Sequence, residues 1–182
     1  MTDTTPTPTP LPQVIDLTKD LPKVRAAFEN ENLGAFEYDT CMYQYPDGSV
    51  CGVGALLNPE TRLRLSEYKD EDALKSYNTE TIWKVSQHCQ HIVQVPENIL
   101  PYLIVLQTLH DDWATSRNLP NHSFSVVRTD FVTAQEIGFD MGVSLNERAD
   151  YDSNAPTHLI HIDETRKERF ERFLKFCEER FT

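Results

Sequence analysis

Three residue types that together can make a nucleophile occur as Cys51, His110 and Asp111. A cysteine attacks as its thiolate, which a nearby imidazole stabilises, and a third group must orient that imidazole. Asp111 follows His110 directly. Consecutive helical side chains diverge by about 100° and do not face each other. Asp111 is therefore not expected to hydrogen-bond His110, and the geometry of a triad is incomplete. The competing reading makes Cys51 a small buried hydrophobe and His110 a side chain that pins a neighbouring hairpin.

A second group, His88, Cys89 and His91, has metal-ligand chemistry. On a helix His88 and His91 share a face, and Cys41 and Cys51 carry two further thiols. No C-x-x-C occurs, however, and the closed spacings of structural zinc are missing. His158 and His161 form another pair, which a strand would point to opposite sides. No cofactor is expected. A Cys41–Cys51 disulfide is also disfavoured. With Asp47-Gly48 as the loop, Cys51 sits opposite Gln44 and Cys41 opposite Gly54. A three-residue loop moves Cys51 opposite Tyr43. Either register separates the thiols by about 7 Å or more, beyond comfortable bridging reach. Gly52 and Gly54 lack the frame of a phosphate loop and read as a place of close packing.

Between positions 129 and 163 there are seven acidic residues and one basic residue. Asp140, Glu147, Asp150 and Asp152 are the candidate binding residues of that stretch, facing a basic partner. The whole chain of 182 residues carries 17 basic and 29 acidic side chains, a net charge of −12. That balance disfavours direct nucleic-acid binding, which needs a basic face, and docking on anionic lipid. No apolar run approaches the roughly 20 residues that span a bilayer, and Met1–Pro12 does not read as a secretory leader. Four reduced cysteines in a cytoplasmic protein are the expectation.

The elements that must position these groups follow from periodicity. Residues 1–12 alternate Thr and Pro and read as a disordered tail. Residues 13–182 form a single α+β domain. Val14–Leu17 is a short extended lead-in. A helix is predicted from near Asp20 to about Asn32, from Leu21, Val24, Ala27 and Phe28. Phe36–Tyr45 and Ser49–Leu57 are predicted strands of a hairpin about Pro46-Asp47-Gly48. Pro59 suits the first position of a short helix, and one helical turn is expected near Glu71–Ser76. Further helices are predicted at about Glu80–Ile92, Ile99–Thr115 and Asp130–Ile137. The last begins at an Asp163 cap and carries the stripe Phe170, Phe173, Leu174, Cys177 and Phe181. The expected architecture is a β-hairpin, optionally with a third strand at Thr157–Ile162, packed against four to five helices.

The hairpin residues Cys41, Tyr43, Asp47, Gly48, Cys51 and Gly54 make a C-x-Y-x-x-x-D-G-x-x-C-x-x-G-x-L pattern. Downstream, Leu106-Gln107-Thr108-Leu109-His110-Asp111 makes an L-Q-x-x-H-D element. Together these resemble a family of small uncharacterised proteins of bacteriophages and their hosts, over roughly residues 20–138. The resemblance implies a phage or prophage accessory protein and brings no chemistry with it. The expected function is non-enzymatic protein–protein binding through an acidic surface. The alternatives are a small cysteine-dependent hydrolase using Cys51 and His110, and a metal-stabilised module.

Overall fold

Asp16 sets the start of the first helix, because its carboxylate accepts the Thr18 amide at 3.1 Å and occupies an otherwise orphan donor. Asp20 reaches back to the Asp16 amide at 2.9 Å. Helix α1 therefore spans Leu17–Glu29, starting earlier than periodicity alone suggested, with Pro22 inside it. The computed structural model describes residues 10–34, 42–69, 77, 80–118, 125–142, 144–145, 156–160 and 165–181.

Helix α2 spans Pro59–Glu67, with Pro59 in the first turn and Asn58 accepting the Thr61 amide at 2.7 Å. Helix α3 is shorter than predicted, Ile82–His88, capped by Thr81. It ends because the Ile92 and Val93 amides both return to the Cys89 carbonyl, at 2.8 and 2.9 Å, turning the chain into a strand. Helices α4, Leu100–Asn118, α5, Arg128–Glu136, and α6, Arg166–Phe181, lie close to their predicted positions. Thr165 caps α6: its hydroxyl accepts the Glu168 amide at 3.2 Å, and Glu168 accepts the Thr165 amide at 2.8 Å. The predicted cap Asp163, the turn at 71–76 and the tail at 1–9 lie outside the described residues.

Strand content is small. The lead-in forms β1, Gln13–Val14, which pairs in parallel with β2, Val93–Gln94. A second sheet is antiparallel, with β5, Pro156–Ile160, between β3, Ser125–Val127, and β4, Ser144–Leu145. The fold is α+β in this limited sense, with six helices among the described residues where four to five were expected. Among the described residues no helix is long and apolar enough to cross a membrane.

The hairpin is not confirmed, and its second predicted strand, Ser49–Leu57, takes another form. The turn itself forms: the Gly48 amide donates to the Tyr45 carbonyl at 3.0 Å, and Gly48 has φ 87°, where a side chain is strained. Asp47 adds to it by accepting the Ser49 amide and hydroxyl at 2.9 and 2.6 Å. No strand ladder flanks this turn among the described residues. Val50 bridges in parallel to Leu33 instead, and Gly54–Leu56 is a 3-10 helix. Residues 35–41, including Cys41, lie outside the described residues. The physical reason is burial on every side. Residues 50–57 are all buried, and a half-exposed alternating strand cannot meet that demand.

A Cβ built on Gly54 would overlap the Tyr43 backbone carbonyl. The two segments meet backbone to backbone there, which only glycine permits. Gly54→Ala is expected to lower stability by about 1–3 kcal/mol or more, because backbone must move. A thermal melt within one degree of the parent would refute this.

Helix α4 lies at the centre and packs against α3, α5 and α6. Leu103, Leu106 and Leu109 are buried along it. Phe28 of α1, Trp113 of α4 and Phe170 of α6 meet with ring centroids 5.4–5.7 Å apart. Arg25 clamps α1 to α6 by a two-pronged pair with Glu178, both bonds 2.8 Å.

Candidate functional site

The glycine-rich turn before the 3-10 helix lies directly on α4. A Cβ on Gly52 would stand 3.2 Å from His110 Cβ and 3.5 Å from Leu106 Cγ. This contact seats Cys51 and His110 in the same region of the core, at 1% and 0% exposure. It does not make them a pair. The Cys51 sulfur accepts the Gly54 amide at 3.2 Å, and His110 Nε2 has no hydrogen-bond partner among the described residues. A substrate cannot reach a thiol so enclosed without local opening. The sequence reading of Asp111 is corrected: His110 Nδ1 donates to Asp111 Oδ1 at 3.2 Å. Nδ1 is the ring nitrogen nearest the backbone, so a short neighbouring carboxylate reaches it although the Cβ directions diverge.

Asp111 also lines a cleft. That cleft, about 640 Å³, lies between α3, α4 and α5 and is lined by Ile82, Trp83, Gln107, Thr108, Asp111 and Asp130 among others. Two bonds between elements hold the walls together. Gln107 Oε1 accepts the Ile82 amide at 2.9 Å, fixing the start of α3 against α4. The Thr108 hydroxyl donates to Asp130 Oδ2 at 2.8 Å, tying α4 to α5. Burial pushes the Asp130 carboxyl above its ordinary range, and the nearby Asp111 charge adds to the rise against the opposing hydrogen bonds of Thr108 and Thr129. Trp83, at the mouth, is 54% exposed. The arrangement offers two fixed, coupled carboxylates and an open indole. Such a set attracts a cationic, planar or methylated group.

Among the described residues, the rest of the motif makes contacts within the fold. Tyr43 is buried and its hydroxyl donates to the Glu80 carbonyl at 2.8 Å, just before α3. Asp47 and Gly48 make the turn, and Gly54 makes the close approach. The proposed metal ligands are not brought together. Cys89 is in the core at the end of α3, whereas His88 and His91 are exposed, near the rings of Tyr77 and Tyr68. Among the described residues no group of three or more His, Cys, Asp or Glu is placed to hold a metal ion. Of the acidic candidates, Asp140 is exposed and accepts the Gly142 amide at 2.8 Å. Glu147, Asp150 and Asp152 lie outside the described residues.

Sequence reasoning missed a buried ionic cluster beneath α4. Arg166 Nε stands 3.2 Å from Asp112 Oδ1, and Arg169 Nη1 stands 3.6 Å from Asp112 Oδ2. Arg169 is fully buried and donates from Nε to the Met141 carbonyl at 2.9 Å. Burial pushes the Asp112 carboxyl up to about 7, against the pull of both guanidiniums. The available signal was Arg169 itself, which falls on the apolar stripe of α6 beside Phe170 and one turn before Phe173.

Protein-family models, curated proteins and solved structures offer no match to this chain.

Proposed function

We propose that this chain is a non-enzymatic phage or prophage accessory protein, acting in the host cytoplasm by binding a basic partner protein through an acidic surface. One observation supports this reading most: two carboxylates on different helices, Asp111 and Asp130, are fixed in an open cleft beside an exposed tryptophan. The net charge of −12 favours a basic partner and fast, salt-sensitive association. The acidic face so proposed centres on α4 and α5, with Asp140 just beyond. The hydrolase reading loses support, because Cys51 is enclosed and its thiol is bonded to backbone.

The test uses affinity capture from the native host with the full chain and two variants. Cys51→Ser is close to isosteric and is expected to capture the same partner. Asp111→Asn combined with Asp130→Asn is expected to lose it, most visibly at low salt. Should Cys51→Ser abolish the cellular phenotype while fold and capture survive, the cysteine hydrolase takes its place.

A further inference from the structure

We infer that the α3–α4–α5 cleft receives an arginine side chain of the partner, its guanidinium bridging Asp111 and Asp130 and its plane lying on Trp83. The inference rests on the protein-binding reading above and names the chemistry that the site recognises.

The first support is the balance of groups in the cleft. Among the described residues its lining includes two carboxylates and no Lys, Arg or His. The cleft volume, about 640 Å³, lies in the range of small-molecule pockets and exceeds one side chain. The neutral polar groups are largely committed within the protein. Gln107 Oε1 is taken by the Ile82 amide, the Thr81 hydroxyl accepts the Lys84 amide, and the Thr108 hydroxyl is spent on Asp130. What the cleft still offers is acceptor capacity. A carboxylate has about four acceptor sites. His110 takes one on Asp111, and Thr108 and Thr129 take some on Asp130. An incoming donor with positive charge satisfies the rest.

The second support is preorganisation. His110 is wholly buried and holds one oxygen of the partly exposed Asp111 carboxylate. Asp130 is held from a different helix. Burial raises the Asp130 carboxyl, and repulsion from the Asp111 charge adds to that rise. A cation between them removes that repulsion. A guanidinium suits this geometry better than an ammonium. It is planar, carries five donors in a fixed fork, is weakly hydrated, and stacks on an indole face. Trp83, half-exposed among the residues that line the cleft, supplies that face.

The test titrates the full chain with acetyl-Gly-Arg-Gly-amide, following the Trp83 indole N–H by nuclear magnetic resonance, with Trp83→Phe to assign the signal. The lysine and citrulline peptides are run at equal ionic strength. The arginine peptide is expected to saturate at about tenfold lower concentration than the lysine peptide, with no response to citrulline. Asp111→Asn and Asp130→Asn are each expected to weaken the arginine response by about tenfold or more. Equal responses to arginine and lysine overturn the proposal. So does undiminished arginine binding in either folded Asn variant. A variant that does not fold leaves the comparison of peptides on the parent protein decisive. If the arginine peptide fails while salt-sensitive partner capture persists, the cleft assignment falls and the protein-binding reading stands. If the peptide binds as expected but no partner is captured, the guanidinium site stands and the protein-binding reading falls.

Discussion

Arg169→Met is expected to destabilise the fold by about 3–5 kcal/mol near neutral pH, the cost of stranding a buried charge. Arg169 is fully buried in the α4–α6 interface, beside Asp112, whose side chain is only 6% exposed. The methionine restores volume and apolar contact but not the charge, and it also orphans the Met141 carbonyl. The effect depends on pH in a definite direction. Asp112 has its folded carboxyl pushed up to about 7, above its ordinary value of 3.8. The native state therefore binds more protons than the unfolded one between those values, and stability falls as pH rises through that window. Removing a guanidinium raises the carboxyl further. The deficit of Arg169→Met should thus be larger at pH 8 than at pH 5, where Asp112 is largely protonated in both proteins. Urea unfolding at the two pH values measures it. A loss below about 1 kcal/mol at both, the size of an exposed pair, would place the cluster in solvent and refute the packing described.

Leu106→Ala is expected to cost about 2–5 kcal/mol. Leu106 sits mid-way along α4 at 2% exposure, where the Gly52 turn lies against it. The turn cannot follow the shortened side chain, because Gly54 is already in contact with the Tyr43 backbone. The cavity should therefore stay open, towards the costly end of that range. The urea midpoint should fall with the slope unchanged. A near-neutral result would mean that this face of α4 is not sealed by the turn.

Local patterns told much about the helices and little about how they meet. Leu103, Leu106 and Leu109 repeat at helical spacing, and all three are buried along α4. Pro59 and the α6 stripe likewise carry their own local signal. The run from Val50 to Leu57 carries none, because a continuous apolar stretch has no period to separate strand from 3-10 helix. Its outcome depends on the approach of Tyr43 to Gly54, a contact between segments. The cleft escapes for a similar reason. Asp111 stood out in its motif, but Asp130 read only as a helix boundary and one acidic residue of its stretch, and Thr108 reaches it across 22 positions. The Asp112–Arg169 pair spans a still longer stretch. The acidity of the chain was legible from its composition, whereas the cleft required the packing of α3, α4 and α5.

The parallel pair β1–β2 constrains the order in which the chain can assemble. Gln13 meets Val93 across roughly 80 residues, so closing that loop carries a large entropic cost before any bond is made. Two short strands repay little of it alone. Their backbone bonds, from Gln13 to Ile92 and from Ile15 to Gln94, become favourable only once α1 and α3 are held by the core. The first described segment to leave the ribosome is then among the last to dock, a late-closing seam over a nucleus built from local helical contacts around α4.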